Sequence, residues 1–174
     1  MELKLRSCLI RPWLLSDAMA LQQYANNRKI WLNLRDRFPH PYTPKDADEF
    51  LRRVMEDTPQ TNFAIALPTE AIGGIGLQLG TDVHRRTAEV GYWLGEPFWN
   101  RGIMSEAVAE FTRYAFEAFD LDRIFAPPFD GNSASARVLE KAGFSFEGRL
   151  RANAVKDRKR LDSLLYAQVR DNPI

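Results

Sequence analysis

The chain has 174 residues, with 24 Lys and Arg against 23 Asp and Glu, for a net charge of +1. Its 45% hydrophobic and 27% charged content excludes disordered, collagen-like and coiled-coil classes. The near-zero charge excludes a strong global pull toward nucleic acid or an anionic membrane. One cysteine, Cys8, allows no internal disulfide. Charges interrupt the first residues every few positions, so no signal peptide is read there. No window approaches the roughly 18 apolar residues of a membrane helix, and a cytoplasmic location is expected. His40 and His84 lie far apart without Cys or carboxylate neighbours at ligand spacing, so no metal site is expected.

Residues 3–11 alternate and stop at Pro12, which predicts a first strand. Ser16 is a plausible cap for a helix over 17–26, and a second helical patch covers 29–35. Thr43 before Pro44 opens a stronger helix, with Asp46, Asp48 and Glu49 in its first turn and an apolar stripe of Phe50, Leu51, Val54 and Met55. After Pro59 the period changes from 3.6 to 2. Strands are predicted at 62–67 and 71–79, joined as a hairpin, and at 87–94. A loop over 95–102 precedes a helix over 105–119. A short strand follows at 123–127, then a helix over 133–142 ended by Gly143. Strands at 144–150 and 161–170 flank a basic connection. Helices interleave with strands throughout, and neither repeats nor linkers occur. One α/β (α+β) domain over 1–174 with a mixed, mostly antiparallel sheet is expected.

The segment from Glu89 to Ala107 runs from strand to loop to helix without a long spacer. The first amides of such a helix have no internal partner, and its dipole adds positive potential. Together they suit phosphate, with Gly102 removing a side chain and Arg101 adding a charge. Glu106 opposes this unless it points away. The loop is neither a Walker loop nor a dinucleotide fingerprint, since Gly73, Gly74 and Gly76 lie inside a strand. Further on, Asn132 is a good cap for a helix whose third residue is Ser135, and Gly143 with Phe144 fits a left-handed helix end. Capping alone accounts for Asn132, Gly143 and Phe144. It leaves Ser135 without a role.

Three stretches carry a resemblance: Gly91-Tyr92-Trp93-Leu94, Trp99-Asn100-Arg101-Gly102-Ile103-Met104-Ser105-Glu106-Ala107, and Asp130-Gly131-Asn132-Ser133-Ala134-Ser135 through Glu140-Lys141-Ala142-Gly143-Phe144. In order and spacing they resemble the GNAT superfamily of acetyl-CoA-dependent N-acetyltransferases. The nearest branch is the RimJ/RimL type, which acetylates ribosomal-protein N-termini. The resemblance implies a GNAT fold, with a mixed, mostly antiparallel sheet of about seven strands flanked by helices. It implies that backbone amides of Trp99, Asn100, Arg101, Gly102, Ile103, Met104 and Ser105 hold the pyrophosphate of coenzyme A. Trp99 stands where the family usually has Gln or Arg, and Met104 where it has Gly or Ala. It implies that Asn132 lies against the cofactor and that Ser135 approaches the thioester sulfur. The tyrosine that serves as acid in other members is replaced here by Leu139. Family members splay the strand at 87–94 from the next and thread the pantetheine between them. Trp13, Trp31, Phe38 and Tyr42 fall where the family builds its acceptor groove, although core packing is the plainer reading of Trp13.

The implied reaction moves an acetyl group from a thioester to an amine, so much of the gain is positioning. An α-amino group, with a pKa near 7.7–8.0, is about 10–20% neutral at pH 7 and needs only a modest base. Glu89 is the candidate, and an exposed strand residue is the competing reading. Backbone N–H groups near Trp93 and Leu94 would hold the oxyanion. Ser135 would donate to the leaving thiolate. The expected partners are acetyl-CoA, a peptide N-terminus or small amine, and a ribosomal protein as one such acceptor. No membrane or nucleic-acid partner is expected, and the oligomeric state is open. The rivals are a small-molecule amine acetyltransferase and a CoA-binding module without turnover. The run Arg149, Arg151, Lys156, Arg158, Lys159 and Arg160 reads first as a solvated turn, and secondly as a means of steering an acidic partner or ribosomal RNA.

Overall fold

The computed structural model describes residues 1–170. They fall into two units, residues 1–76 with 92–107 and residues 77–91 with the chain from 108 on.

In the first unit the strand order is β1-β2-β3-β4-β5. β1 (Leu3–Lys4), β2 (Leu9–Pro12), β3 (Asn62–Ala66) and β4 (Ala71–Leu79) pair antiparallel in sequence. The end of β5 (Thr87–Leu94) lies beside β4, where the Gly95 N–H donates to the Ile72 carbonyl at 2.8 Å. The single strand expected over 3–11 is broken in two. The Leu5 N–H turns back to the Cys8 carbonyl, and the N–H groups of Arg6 and Ser7 are spent on a distant carboxylate, so neither continues a ladder. This break makes eight strands where about seven were expected.

Three helices belong to this unit: α1 (Ala18–Ala25), α2 (Arg28–Trp31) and α3 (Pro44–Glu56). Ser16 does not cap α1. Asp17 opens that turn instead, accepting the Leu14 N–H at 2.9 Å and both arms of the Arg11 guanidinium at 2.7 and 2.8 Å. Asp17 is buried, and a buried carboxylate needs such a partner. α2 is shorter than the expected 29–35 and starts on Asn27, whose side chain accepts the Lys29 N–H. α3 begins as expected, with Thr43 and Asp46 exchanging bonds in a capping box. Its Ala47, Leu51 and Val54 pack with Trp13, Leu21, Ala25 and Tyr42 into one apolar cluster. Burial of Leu51 or Val54 contributes about 1.5–3 kcal/mol each.

In the second unit the order is β4-β5-β6-β8-β7. β5 and β6 (Arg123–Ala126) are parallel; β6 with β8 (Lys159–Val169) and β7 (Ser145–Lys156) with β8 are antiparallel. α4 (Ile103–Ala118) begins in the first unit and continues here, starting two residues before the expected 105. α5 (Ser133–Lys141) lies between β6 and β7 in the chain. The basic connection expected between two strands is itself strand. β7 continues past a bulge at which Ala152 takes φ 53°, and the hairpin closes on Asp157 and Arg158 at φ 50° and 61°. Two positive φ values are the requirement of a two-residue hairpin turn, and neither residue announces it as Asn-Gly would.

Candidate functional site

β5 carries the first expected residues. Its parallel ladder with β6 has three pairs, Thr87↔Arg123, Ala88↔Ile124 and Glu89↔Phe125, and stops there among the described residues. β5 runs on to Leu94, whereas β6 ends at Ala126 before Pro127 and Pro128, which have no N–H to extend a ladder. Glu89 is therefore the last paired residue of β5 on that side, and it is half-buried. Trp93 is also half-buried, with its ring 5.8 Å from that of Phe38. β4 presses close to this stretch: a Cβ on Gly73 would stand 2.4 Å from the Trp93 carbonyl oxygen, so only glycine fits there.

The loop after β5 is braced from behind. The indole N–H of Trp99 donates to the Leu94 carbonyl at 2.7 Å, tying loop to strand end. This gives the Trp99 side chain a structural task. Phe98 is buried, edge-on to Tyr24 at 5.2 Å, and the Arg101 guanidinium lies 5.7 Å above its ring. Glu96 accepts from Asn27 Nδ2 at 2.7 Å and from Lys29 Nζ, and these partners, Lys29 first, hold its carboxyl below the usual range.

The loop's front is unengaged. Among the described residues, none of the backbone N–H groups of Asn100, Arg101, Gly102, Ile103, Met104 and Ser105 donates to another group of the chain; the ladder of α4 begins with Glu106 N–H to the Gly102 carbonyl at 3.1 Å. Asn100 and Gly102 both have positive φ, 60° and 78°, on either side of Arg101. Left-handed residues alternating with ordinary ones turn successive N–H groups to one side, a concave nest for anions. A Cβ on Gly102 would meet nothing within 4 Å, so its conformation rather than crowding calls for glycine. Ile103 and Met104 are buried, so they can offer a ligand only their N–H groups. The bulk of Met104 faces the interior.

Glu106 does point away from the loop. Its carboxylate accepts the N–H groups of Arg6 (2.9 Å) and Ser7 (3.2 Å), the Ser7 hydroxyl (2.5 Å) and Arg6 Nε (3.4 Å). The Ser7 hydroxyl leads these partners in holding the carboxyl below the usual range. Arg6 and Ser7 were not expected near the site, and no local pattern could reveal contacts across about one hundred residues of chain.

In the second unit, Asn132 Oδ1 accepts the Ser135 N–H at 3.1 Å, so Asn132 caps α5 and meets Ser135 directly. At the other end Gly143, at φ 90°, donates to the Glu140 carbonyl, and the Phe144 N–H to the Leu139 carbonyl at 3.0 Å. This is the left-handed closure expected, with Leu139 and Phe144 both buried. Of the four aromatic residues placed in an acceptor groove, Trp13 and Tyr42 are core residues at 2% and 3% exposure. Phe38 and Trp31 are half-buried. A separate cleft of about 350 Å³, lined by Gln23, Tyr24, Asn26, Asn27, Glu96 and Pro97, holds none of the expected site residues. Among the described residues no group of three His, Cys, Asp or Glu is placed for a metal, and no helix is long and apolar enough to cross a membrane.

Fold and loop define the class: a mixed α/β protein with a row of unengaged backbone N–H groups at the start of its longest described helix. Residues 8–145 match the acetyltransferase (GNAT) domain family. YjcK of Bacillus subtilis, a probable N-acetyltransferase, is 33% identical over 161 residues, 87% of each chain. YoaA of the same organism, named an N-acetyltransferase, is 39% identical over 101 residues; that match spans 58% of this chain and 56% of YoaA. Among solved structures, RimL, a ribosomal L7/L12 alpha-N-protein acetyltransferase in complex with coenzyme A, superposes with a TM-score of 0.85 at 20% identity, over 98% of this chain and 99% of its own. This chain belongs to the GNAT acetyltransferase family.

Proposed function

We propose that residues 1–174 act as one acetyltransferase domain that uses acetyl-CoA to acetylate a primary amine, the α-amino group of a protein N-terminus. The observation that carries this is the row of unengaged amides from Asn100 to Ser105, with Asn100 and Gly102 left-handed. It suits a diphosphate bound by backbone, which tolerates Trp99 and Met104 in place of smaller or polar residues. The complex of RimL with coenzyme A supports the donor, and its name supports an α-amino acceptor.

In this reading the amine nitrogen attacks the thioester carbon, a C–N bond forms, and the C–S bond breaks. Glu89 takes the amine proton through water. The N–H groups of Trp93 and Leu94 hold the oxyanion, and Ser135 donates a hydrogen bond to the departing thiolate, which water protonates, so that the proton lost by the amine is matched by the one gained by the thiol. The early end of the β5–β6 ladder supports the passage of an extended arm beside β5. Asn132, its Oδ1 committed to the cap, offers Nδ2 to that arm.

Acetyl-CoA at about a hundred times its dissociation constant should stabilise the fold by roughly 2.7 kcal/mol, read as a rise in Tm. A peptide and amine panel followed by thiol release then reports turnover. Thiol release from small amines alone favours a small-molecule acetyltransferase, and stabilisation without thiol release from any acceptor favours a binding module. Ser135→Ala should lower kcat about a hundredfold at unchanged acetyl-CoA affinity; an unchanged kcat removes Ser135 from the mechanism. Glu89→Gln should move the rate profile to higher pH, because the amine must then lose its proton unaided. A profile that stays in place excludes Glu89 as the base.

A further inference from the structure

Beyond the bulge at Ala152, β7 and β8 pair through Ala154↔Leu161, Val155↔Arg160 and Lys156↔Lys159. β6 pairs with β8 only over Tyr166 to Val169. The end of the hairpin is therefore a two-stranded ribbon, a form that is marginal unless something else favours it. It and the bulge expose Arg151, Arg158, Lys159 and Arg160. Among the described residues none of these four has a carboxylate within ion-pair distance. Arginines nearer the sheet are paired: Arg149 lies 2.6 Å from both Asp130 and Asp162, and Arg123 binds Glu147.

Four exposed cations stand here against Asp157 in the turn and Asp162, which acts on Arg160 from beyond ion-pair distance, and the excess positive charge repels itself. Protection of a sheet edge explains a cation on β7, the outermost strand. It also covers Lys159 and Arg160, because β8 has no β6 beside it there and is itself an edge, but it calls for no cluster of four without an ion-paired carboxylate. The neighbouring apolar surface is aliphatic: Val155, opposite Arg160, is 67% exposed and Leu150 is 37% exposed. Residues 150–161 include no aromatic ring on which a base could stack, so nucleic acid is the poorer fit. Arginine beside aliphatic side chains suits a polypeptide that bears carboxylates.

We infer that the end of the β7–β8 hairpin is a docking surface for an acidic polypeptide segment of the acceptor protein. The inference rests on the reading that the acceptor is a protein. The surface raises the encounter rate and lowers KM for acceptors with acidic residues beyond the reacting amine, leaving kcat unchanged.

The test uses the full chain and the triple variant Arg158→Gln, Lys159→Gln and Arg160→Gln, all at exposed positions, with matched melting curves confirming the fold. The probe is a labelled peptide of about 20 residues rich in Glu and Leu, compared with the same peptide carrying Gln for Glu. By fluorescence anisotropy the unaltered chain should bind the acidic peptide about tenfold tighter than its Gln counterpart, and the variant should lose that preference. The preference should also fade between about 50 and 300 mM salt. Equal binding of both peptides overturns the inference, as does a preference that survives in the variant. Tighter binding of a single-stranded RNA of matched length would assign the surface to nucleic acid and equally overturn it. In parallel, turnover of a short neutral peptide should be the same in both proteins, whereas KM for the acidic peptide should rise about tenfold in the variant. If neither protein acetylates any peptide, the acceptor reading fails, and the anisotropy result still decides the docking surface.

Discussion

Each of the two parallel strands leads to a helix, and the two helices begin in opposite ways. α5, after β6, is closed at both ends. Asn132 takes the Ser135 N–H, and Gly143 and Phe144 return their N–H groups to Glu140 and Leu139. α4, after β5, starts with the amides from Asn100 to Ser105 unengaged among the described residues. α3 also has a side-chain cap, Thr43 with Asp46 answering it. Those donors, set behind two left-handed residues, are the ones that the proposed diphosphate would engage. In water they are solvated at little cost, and an anion that replaces the water gains several charge-assisted bonds at once.

The sharpest way to break this contrast is at Gly102. Gly102→Val puts a β-branched residue at φ 78°, which costs about 1–3 kcal/mol of strain or forces the nest to change shape. Acetyl-CoA affinity, measured by calorimetry, should fall about tenfold or more while Tm drops only slightly. An unchanged affinity would sink the assignment of the diphosphate to this loop. At the closed helix, Asn132→Ala removes the cap and should lower stability by about 1 kcal/mol in urea denaturation. Asn132→Asp should restore stability, because a carboxylate also caps. It should not restore acetyl-CoA affinity if Nδ2 is the ligand's partner. Recovery of both would reduce Asn132 to a cap alone.

The smallest effect is expected at the brace behind the open helix. Ser7→Ala removes the shortest of the bonds to Glu106 and should cost about 1 kcal/mol at pH 7. The sign with pH follows from the lowered folded-state pKa of Glu106. A lowered value stabilises the fold above the unfolded-state pKa, near 4.3, and that contribution is lost as pH falls through the folded-state value. The stability gap between wild type and variant should therefore be open at neutral pH and close as pH falls below the unfolded-state value. A gap that is constant with pH would mean that the hydroxyl packs but does not support the charge.

Local chemistry was legible wherever it needed no distant partner. Thr43-Pro44 with Asp46 marked α3, the alternation over 87–94 marked β5 to the residue, and Asn132 and Gly143 marked both ends of α5. Two of the misreadings come from side-chain partners that the local pattern does not show. The strand expected over 3–11 is broken because Glu106 takes the Arg6 and Ser7 N–H groups, and Asp17 displaces Ser16 as the opener of its turn because Arg11 holds it there. The basic stretch looked like a connection because its hairpin turns on Asp157 and Arg158 without a glycine.

By itself, then, the sequence determined most of the helices and strands, where α5 stops, and which loop holds the glycine that can turn its amides outward. Those properties depend on residues within a turn or two of one another. Tertiary structure alone decided that Glu106 would be drawn away from the loop by Arg6 and Ser7, and that the β5–β6 ladder would end after three pairs among the described residues. These depend on groups brought together from remote parts of the chain, where hydrogen-bonding capacity is shared out only once the backbone has folded.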